Sequence, residues 1–225
     1  MDADLTARFV ELVQRSDDDV PLDEAALLIA AHDHAVDVEA GLAALDALAL
    51  EVAATDAAGL ARGLFVDLGF AGDVVEYDDP RNSFLDEVLA RRLGMPITLA
   101  VVMIEVGRRC GVSCVGIGMP GHFLVGTDDG YVDAFAAGTF LDAAGARARF
   151  ERAQPMAPFS PRYLEPVGSR AILARILANL VNSLAVRAPL TATWALRLRL
   201  AIPGLPPAER RGGEAVLARL LARSN

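Results

Sequence analysis

The sequence predicts an α+β fold in which a central helix packs on an antiparallel sheet. Three observations support this prediction. Apolar residues recur every three or four positions through the first 70 residues, as in amphipathic helices. An almost wholly apolar helical segment, TLAVVMIEVGRR, lies near the middle of the chain. From Gly111 onward the pattern changes to one typical of short strands joined by turns.

The helical N-terminal layer, residues 1–70, contains four segments with apolar stripes. They are LTARFVELVQR, DEAALLIAAHDH, DVEAGLAALDALALEVAA and AGLARGLFVDLGF. His32 and His34 lie two apart in the second segment, so on a helix they would point to different faces. We interpret them as solvated residues and expect no metal site in the chain.

The core, residues 76–140, begins with two helices. We expect the first, FLDEVLARR, to end at Gly94. Pro96 suits the first turn of the second helix, where no backbone donor is lost. The first helix has candidate capping residues and candidate partners for a capping box, which are Asn82 or Ser83 and Asp86 or Glu87.

Three strands of an antiparallel meander are predicted next, namely VSCVGIGM, HFLVG and YVDAF. Pro120 and Gly121 form the turn between the first two strands, and TDDG forms the turn between the second and third. Behind them, the proline-rich stretch 154–168 predicts an extended linker. Three helices with apolar stripes then predict a small packed helical tail over residues 169–225. We assign residues 1–153 to one domain.

His122 and Asp133 are the candidate chemical pair. If Thr127 pairs with Gly130, they are diagonal neighbours on one face of the sheet, whereas a slip of one residue separates them. A carboxylate on one imidazole nitrogen fixes the tautomer and leaves the other nitrogen as a base. The central helix would favour a nucleophile in its first turn, where Thr98 is the polar residue. The alternative is a strand-edge histidine with an incidental acidic neighbour.

Composition and charge limit the possible functions. The net charge of -9 argues against non-specific nucleic-acid binding, and no apolar stretch reaches the ~20 residues of a membrane span. Residues 1–60 hold 14 acids and two arginines, whereas residues 145–225 hold 13 arginines and four acids. We favour packing of the acidic helices against the basic third over an acidic partner for that third. The acidic N-terminus favours a cytoplasmic location.

No cofactor is expected. Cys110 and Cys114 are spaced for neither a CxxC redox pair nor a zinc site, and we interpret them as buried thiols. The sequence has no glycine-rich phosphate loop, and its histidines are scattered. All 21 basic residues are arginine, so lysine chemistry is absent.

The blocks PRNS, GMPIT and PGHFL, followed by YVDAF, resemble the transglutaminase-like superfamily, and more narrowly its bacterial SirB-type branch. The resemblance implies a papain/transglutaminase-like core and a tetratricopeptide-like helical tail. In the superfamily a cysteine at the helix start, a histidine and an aspartate form the catalytic triad. These positions fall here on Thr98, His122 and Asp133, so the thiol is missing; the SirB-type branch usually has serine there. YVDAFAAG also departs from the proline and asparagine that follow the aspartate in that branch.

Three functional hypotheses follow. The first is a non-catalytic module whose groove binds a peptide or protein partner, and it is the one we prefer. The second is a slow acyl transferase or amidase, in which Thr98 attacks with His122 as its base and Asp133 orients the histidine. The third is structural pairing of the acidic and basic halves. The sequence indicates no oligomeric state. We expect the groove to be lined by Asn82, Ser83, Pro96, Ile97, Pro120, Gly121 and Phe135.

Overall fold

The first third of the chain is helical in the computed structural model, which describes residues 2–187 and 190–222. Its helices are α1 (Ala3–Gln14), α2 (Leu22–Ala31), α3 (Val38–Val52) and α4 (Ala57–Ala61), which continues into a π-helical turn. Three aspartates cap α1, α3 and α4 by accepting backbone N–H bonds, which satisfies donors that the first turn leaves free; they are Asp2, Asp37 and Asp56.

The central helix, α6 (Pro96–Cys110), follows α5 (Leu85–Arg91). Pro96 occupies its first turn, as predicted, and Gly111 ends it in the left-handed conformation, φ 75°. Eleven of its fifteen residues are buried. The almost wholly apolar segment TLAVVMIEVGRR therefore corresponds to a helix enclosed by the N-terminal helices, the sheet and the tail.

The predicted cap of α5 is wrong. Asn82 and Ser83 belong to a 3-10 turn, Pro80–Ser83, and α5 begins after Phe84 without a side-chain cap. The amide of Asn82 is not free to cap, because it donates to the carbonyl oxygen of Glu76 at 2.7 Å. Asp86 is engaged as well, by His34 at 2.7 Å.

The end of α5 also differs from the prediction. The helix stops at Arg91, and Arg92 adopts the left-handed conformation, φ 59°. Gly94 lies instead in a two-residue strand, β2 (Leu93–Gly94), which pairs in parallel with β1 (Ala71–Gly72). This pairing ties the end of the N-terminal layer to the residues that precede α6.

A five-stranded antiparallel sheet contains the predicted meander and has the order β6-β5-β4-β3-β7. Its strands are β3 (Val115–Ile117), β4 (Leu124–Thr127), β5 (Gly130–Asp133), β6 (Thr139–Leu141) and β7 (Pro166–Val167). Thr127 pairs with Gly130, which is the register that the hairpin predicted. The two outer strands were not predicted, and α7 (Ala143–Ala153) follows β6.

The proline-rich stretch is not wholly extended. Residues 161–164 form one 3-10 turn, and β7 then pairs with β3. The tail consists of α8 (Ser169–Arg187), α9 (Ala192–Ala201) and α10 (Pro207–Ala222). Apolar side chains of α8 belong to the same buried cluster as those of α2 and α6, among them Ile172, Leu173, Ile176 and Leu177. The tail therefore packs directly on the core.

Two acidic residues of the N-terminal helices, Asp23 and Asp46, form ion pairs with α6. Asp23 contacts Arg109 at 2.7 Å and Arg108 at 3.2 Å. In the described part of the chain, the tail meets α1 instead through Arg170, which donates to the carbonyl oxygens of Val13 and Arg15. Among the described residues, no ion pair joins the acidic helices to the basic tail, although α2 and α8 share one buried apolar cluster. Over the same residues, no helix has the length and apolar character needed to cross a membrane.

Candidate functional site

His122 and Asp133 lie against each other at the edge of the β4–β5 hairpin. Nε2 of His122 is 3.1 Å from Oδ2 of Asp133, and Asp133 is almost completely buried. The N–H direction does not meet the geometry of a hydrogen bond, so the two side chains are in close contact without one. The backbone N–H of Ala136 donates to the other carboxylate oxygen at 3.1 Å.

Arg149 of α7 is a third member of this cluster that the sequence did not reveal. Its Nε lies 2.9 Å from the same Oδ2 of Asp133. Burial alone would raise the pKa of Asp133, but His122, the N–H of Ala136 and Arg149 together hold that pKa below its ordinary value. Asp133 is therefore a carboxylate shared between an imidazole and a guanidinium.

Thr98 is fully buried and its hydroxyl holds the start of α6 in place. The hydroxyl donates to the carbonyl oxygen of Asn82 and accepts from the backbone N–H of Met95 at 3.2 Å. The N–H of Met95 is shared, since it also donates to the carbonyl of Asn82 at 3.0 Å. These hydrogen bonds fix the start of α6 to the 3-10 turn at residues 80–83. They also use the only proton of the Thr98 hydroxyl.

A cavity of about 220 Å³ lies between the start of α6, the turn before β4, and α8. Pro96 and Ile97 line it from α6, and Gly121 and His122 line it from the turn. Thr98 does not line it. The structure therefore places the histidine beside the first turn of α6 but directs the threonine hydroxyl away from it, toward Asn82.

The other residues expected to line the groove lie behind or beside this cavity. The amide of Asn82 holds the backbone that leads to Tyr77, and Phe135 packs edge-on against the Tyr77 ring at 5.7 Å. Ser83 donates to the sulfur of Met95 at 3.0 Å, and Pro120 is exposed. Asn82, Ser83 and Phe135 thus contact residues that line the cavity or lead to it, and none of the four lines it.

A second cavity of about 270 Å³ continues the first. Tyr77, Met95 and Asn179 line both, and Asn182 and Ser183 of α8 line the second alone. We call the two together the α6–α8 groove. Its combined size falls within the roughly 300–1,000 Å³ of ligand pockets in proteins.

Arg175 of α8 lines the groove beside His122 and was also missed at the sequence level. Its Nη1 donates to the carbonyl of Met119 at 2.6 Å and its Nη2 donates to that of His122 at 2.9 Å. The guanidinium lies 5.6 Å from the centre of the Phe123 ring. Burial lowers the pKa of Arg175. An arginine inside the apolar run AILARILANL was the available signal.

The remaining candidates for chemistry have structural partners. His32 stacks on Trp194 at 5.9 Å and His34 contacts Asp86, so neither is simply solvated as expected. Cys110 and Cys114 are free and partly buried, and burial raises the pKa of Cys114 to about 11. Within residues 2–187 and 190–222, no group of three or more His, Cys, Asp or Glu residues is placed to hold a metal ion.

Comparisons with known proteins agree with the α+β fold. The family model described as transglutaminase-like superfamily matches residues 32–178. A UPF0162 protein of Xylella fastidiosa is 44% identical over 169 residues, covering 69% of this chain and 59% of the relative. One from Pseudomonas aeruginosa is 36% identical over 170 residues, covering 70% of this chain and 62% of the relative.

A more distant similarity links the chain to a eukaryotic protein. F-box only protein 21 of Mus musculus is 31% identical over 90 residues, covering 35% of this chain and 14% of that protein. No solved structure gives a significant match. The chain spans less than two thirds of the length of the UPF0162 relatives that it matches.

Proposed function

The chain belongs to the transglutaminase-like superfamily, and from this premise we propose that it is a non-catalytic member that binds a peptide segment in the α6–α8 groove. One observation carries the proposal. Thr98 occupies the expected nucleophile position, but its hydroxyl is hydrogen-bonded to backbone groups of Asn82 and Met95. Thr98 also does not line the cavity beside His122. In this proposal the groove serves binding, while the side chain at the nucleophile position serves the fold.

The groove supplies the features of a peptide site. Tyr77 and Met95 give apolar surface along both cavities, and Asn179 and Asn182 add amide groups able to pair with a peptide backbone. Tyr77 is the hydroxyl-bearing side chain that lines the cavity beside His122. Burial raises the pKa of Tyr77, which disfavours its use as a nucleophile.

The family branch is also a proposal. The blocks PRNS, GMPIT and PGHFL favour the SirB-type branch, and the paired helices α8 and α9 favour a tetratricopeptide-like tail. In this proposal the tail takes part in binding, because α8 forms one wall of the groove. The partner is therefore expected to contact both the transglutaminase-like core and the tail.

The competing proposal is slow acyl transfer or amide hydrolysis by Thr98. The 3.1 Å contact between His122 and Asp133 favours it, since an oriented imidazole is what a base requires. The same proposal requires Thr98 to give up its bond to Asn82 and to turn toward a cavity that it does not line. That requirement is why we place binding first.

A pair of cysteine substitutions tests the loss of catalysis. In a background with both native cysteines changed to serine, Pro96→Cys puts a thiol on the cavity wall and Thr98→Cys puts one in the buried position. We expect iodoacetamide to alkylate the first quickly below pH 8, because the helix start and His122 favour the thiolate. The second is expected to resist alkylation. Rapid alkylation of Thr98→Cys that disappears with His122→Ala would support the acyl-transfer proposal instead.

Binding is tested on an array of random hexapeptides anchored through their N-termini. We expect the wild-type protein to bind a subset of sequences. Asn179→Trp fills both cavities and should abolish this binding, whereas Arg152→Trp, on the exposed face of α7, should leave it unchanged. Binding of the same sequences by the Asn179→Trp variant, or no binding by the wild type, would contradict the proposal.

A further inference from the structure

We propose that Arg175 makes the α6–α8 groove selective for peptides that end in a free C-terminal carboxylate. The inference rests on the proposed function and adds the chemical identity and direction of the ligand. It places the carboxylate beside His122, at the end of the groove that Arg175 spans. The preceding residues of the peptide then extend along α8 toward Asn182.

Arg175 is a cation without a counter-charge in the part of the chain that the structure describes. No carboxylate there lies within 4.0 Å of its guanidinium nitrogens, and its two bonded acceptors, the carbonyl oxygens of Met119 and His122, are neutral. A half-buried charge of this kind is costly unless it is paired. Burial lowers the pKa of Arg175, which agrees with this lack of compensation. A ligand carboxylate would supply the missing charge.

The surroundings of Arg175 favour an anion. The first turn of α6 lies on the opposite wall, and the N-terminal end of a helix carries partial positive charge. Ile97, on that wall, is in the first turn, where backbone N–H groups have no partner within the helix. Guanidinium and backbone donors together are the groups that capture peptide carboxylates in other proteins.

The geometry of the same end favours a chain terminus over an acidic side chain. Arg175 crosses from α8 to the turn and donates to the carbonyl oxygens of Met119 and His122, so its guanidinium spans this end of the groove. A peptide that enters from the Asn182 end therefore meets the guanidinium with its last residue. Asp133, next to His122, is already paired with Arg149. At the other end Asp78 lines the cavity together with Asn182 and would repel a carboxylate placed there. The charges thus set one direction for the ligand.

The test compares three forms of each hexapeptide on the N-terminally anchored array, at constant ionic strength. One form has a free C-terminal carboxylate, one has a C-terminal amide, and one has the amide with glutamate as its last residue. For sequences that the wild type binds, we expect the free carboxylate to bind at least about tenfold more tightly than either amide. Arg175→Met should remove this preference. Arg152→Met, which deletes an exposed arginine, should keep it.

The outcomes separate this inference from the proposed function. Equal binding of acid and amide forms by the wild type, still lost in Asn179→Trp, would overturn the role of Arg175 and leave a peptide site. Tight binding of the peptide amide that ends in glutamate would show that the groove accepts a side-chain carboxylate. That result would overturn the proposed selectivity for a C-terminal carboxylate. No binding of any form would overturn both. The acid-to-amide comparison uses the wild type, so it stands even if Arg175→Met fails to fold.

Discussion

Replacing Thr98 with valine tests whether its hydroxyl serves the fold. Valine keeps the shape of the side chain but removes the bonds to Asn82 and Met95. These two backbone groups still pair with each other at 3.0 Å, so neither is left without a partner. We therefore expect the loss of about one net hydrogen bond, which lowers the free energy of unfolding by about 0.5–1.5 kcal/mol.

Urea denaturation followed by circular dichroism measures this change. The m-value should stay constant, because the surface exposed on unfolding is the same. Thr98→Ser is the matched control, since it keeps the hydroxyl and removes one methyl group from a fully buried position, at a cost of about 1 kcal/mol. Both variants should still bind the peptides that the wild type binds, because Thr98 does not line the groove.

A valine variant at least as stable as the wild type would refute this reasoning. Side chains kept for chemistry commonly reduce stability, so their removal is neutral or favourable. That result, together with loss of a measurable turnover, would mean that the hydroxyl is held for reaction and not for the start of α6.

Three further predictions concern other parts of the molecule. Asp133→Asn should lower the free energy of unfolding at neutral pH, because the folded-state pKa of Asp133 is lowered. The stability difference between variant and wild type should persist down to pH 3.8, the ordinary pKa of an aspartate, and should vanish as the pH falls further through the folded-state pKa. A difference that grows in acid, measured by denaturation at several pH values, would contradict this. Gly72→Ala should cost about 1–3 kcal/mol, because its Cβ would overlap the ring of Phe135. Gly212→Ala in α10 meets nothing within 4 Å and should be neutral or stabilising; equal melting temperatures would refute the packing. Cys114, studied with the other cysteine changed to serine, should react with iodoacetamide at pH 8 only after unfolding, because its pKa is raised to about 11.

The sequence predicted those parts of the fold that short-range patterns determine. The helices α1 to α3 follow from apolar periodicity, and the α+β class follows from the change of period after α6. The register of the β4–β5 hairpin follows from counting outward from its two-residue turn, which is why the contact of His122 with Asp133 could be anticipated.

Long-range contacts explain part of what the sequence did not predict. Arg175 lies 53 residues beyond His122, and its place in an apolar run distinguishes it from other arginines of the tail without indicating which site it reaches. The cap proposed at Asn82 failed for a more local reason, because its amide donates to the carbonyl oxygen of Glu76, six residues earlier. A strand of two residues, such as β7, is too short to produce a periodic pattern.

The position of β7 has a consequence for the behaviour of the chain in solution. Without β7, the outer edge of β3 would present unpaired N–H and C=O groups, which are a template for pairing with another molecule. The segment that ends in β7 thus shields the sheet from intermolecular strand addition, and its prolines make that segment itself a poor template. A shortened chain of residues 1–153 loses this cover of β3 together with the apolar side chains of α8 that pack on the core, and it is therefore expected to aggregate.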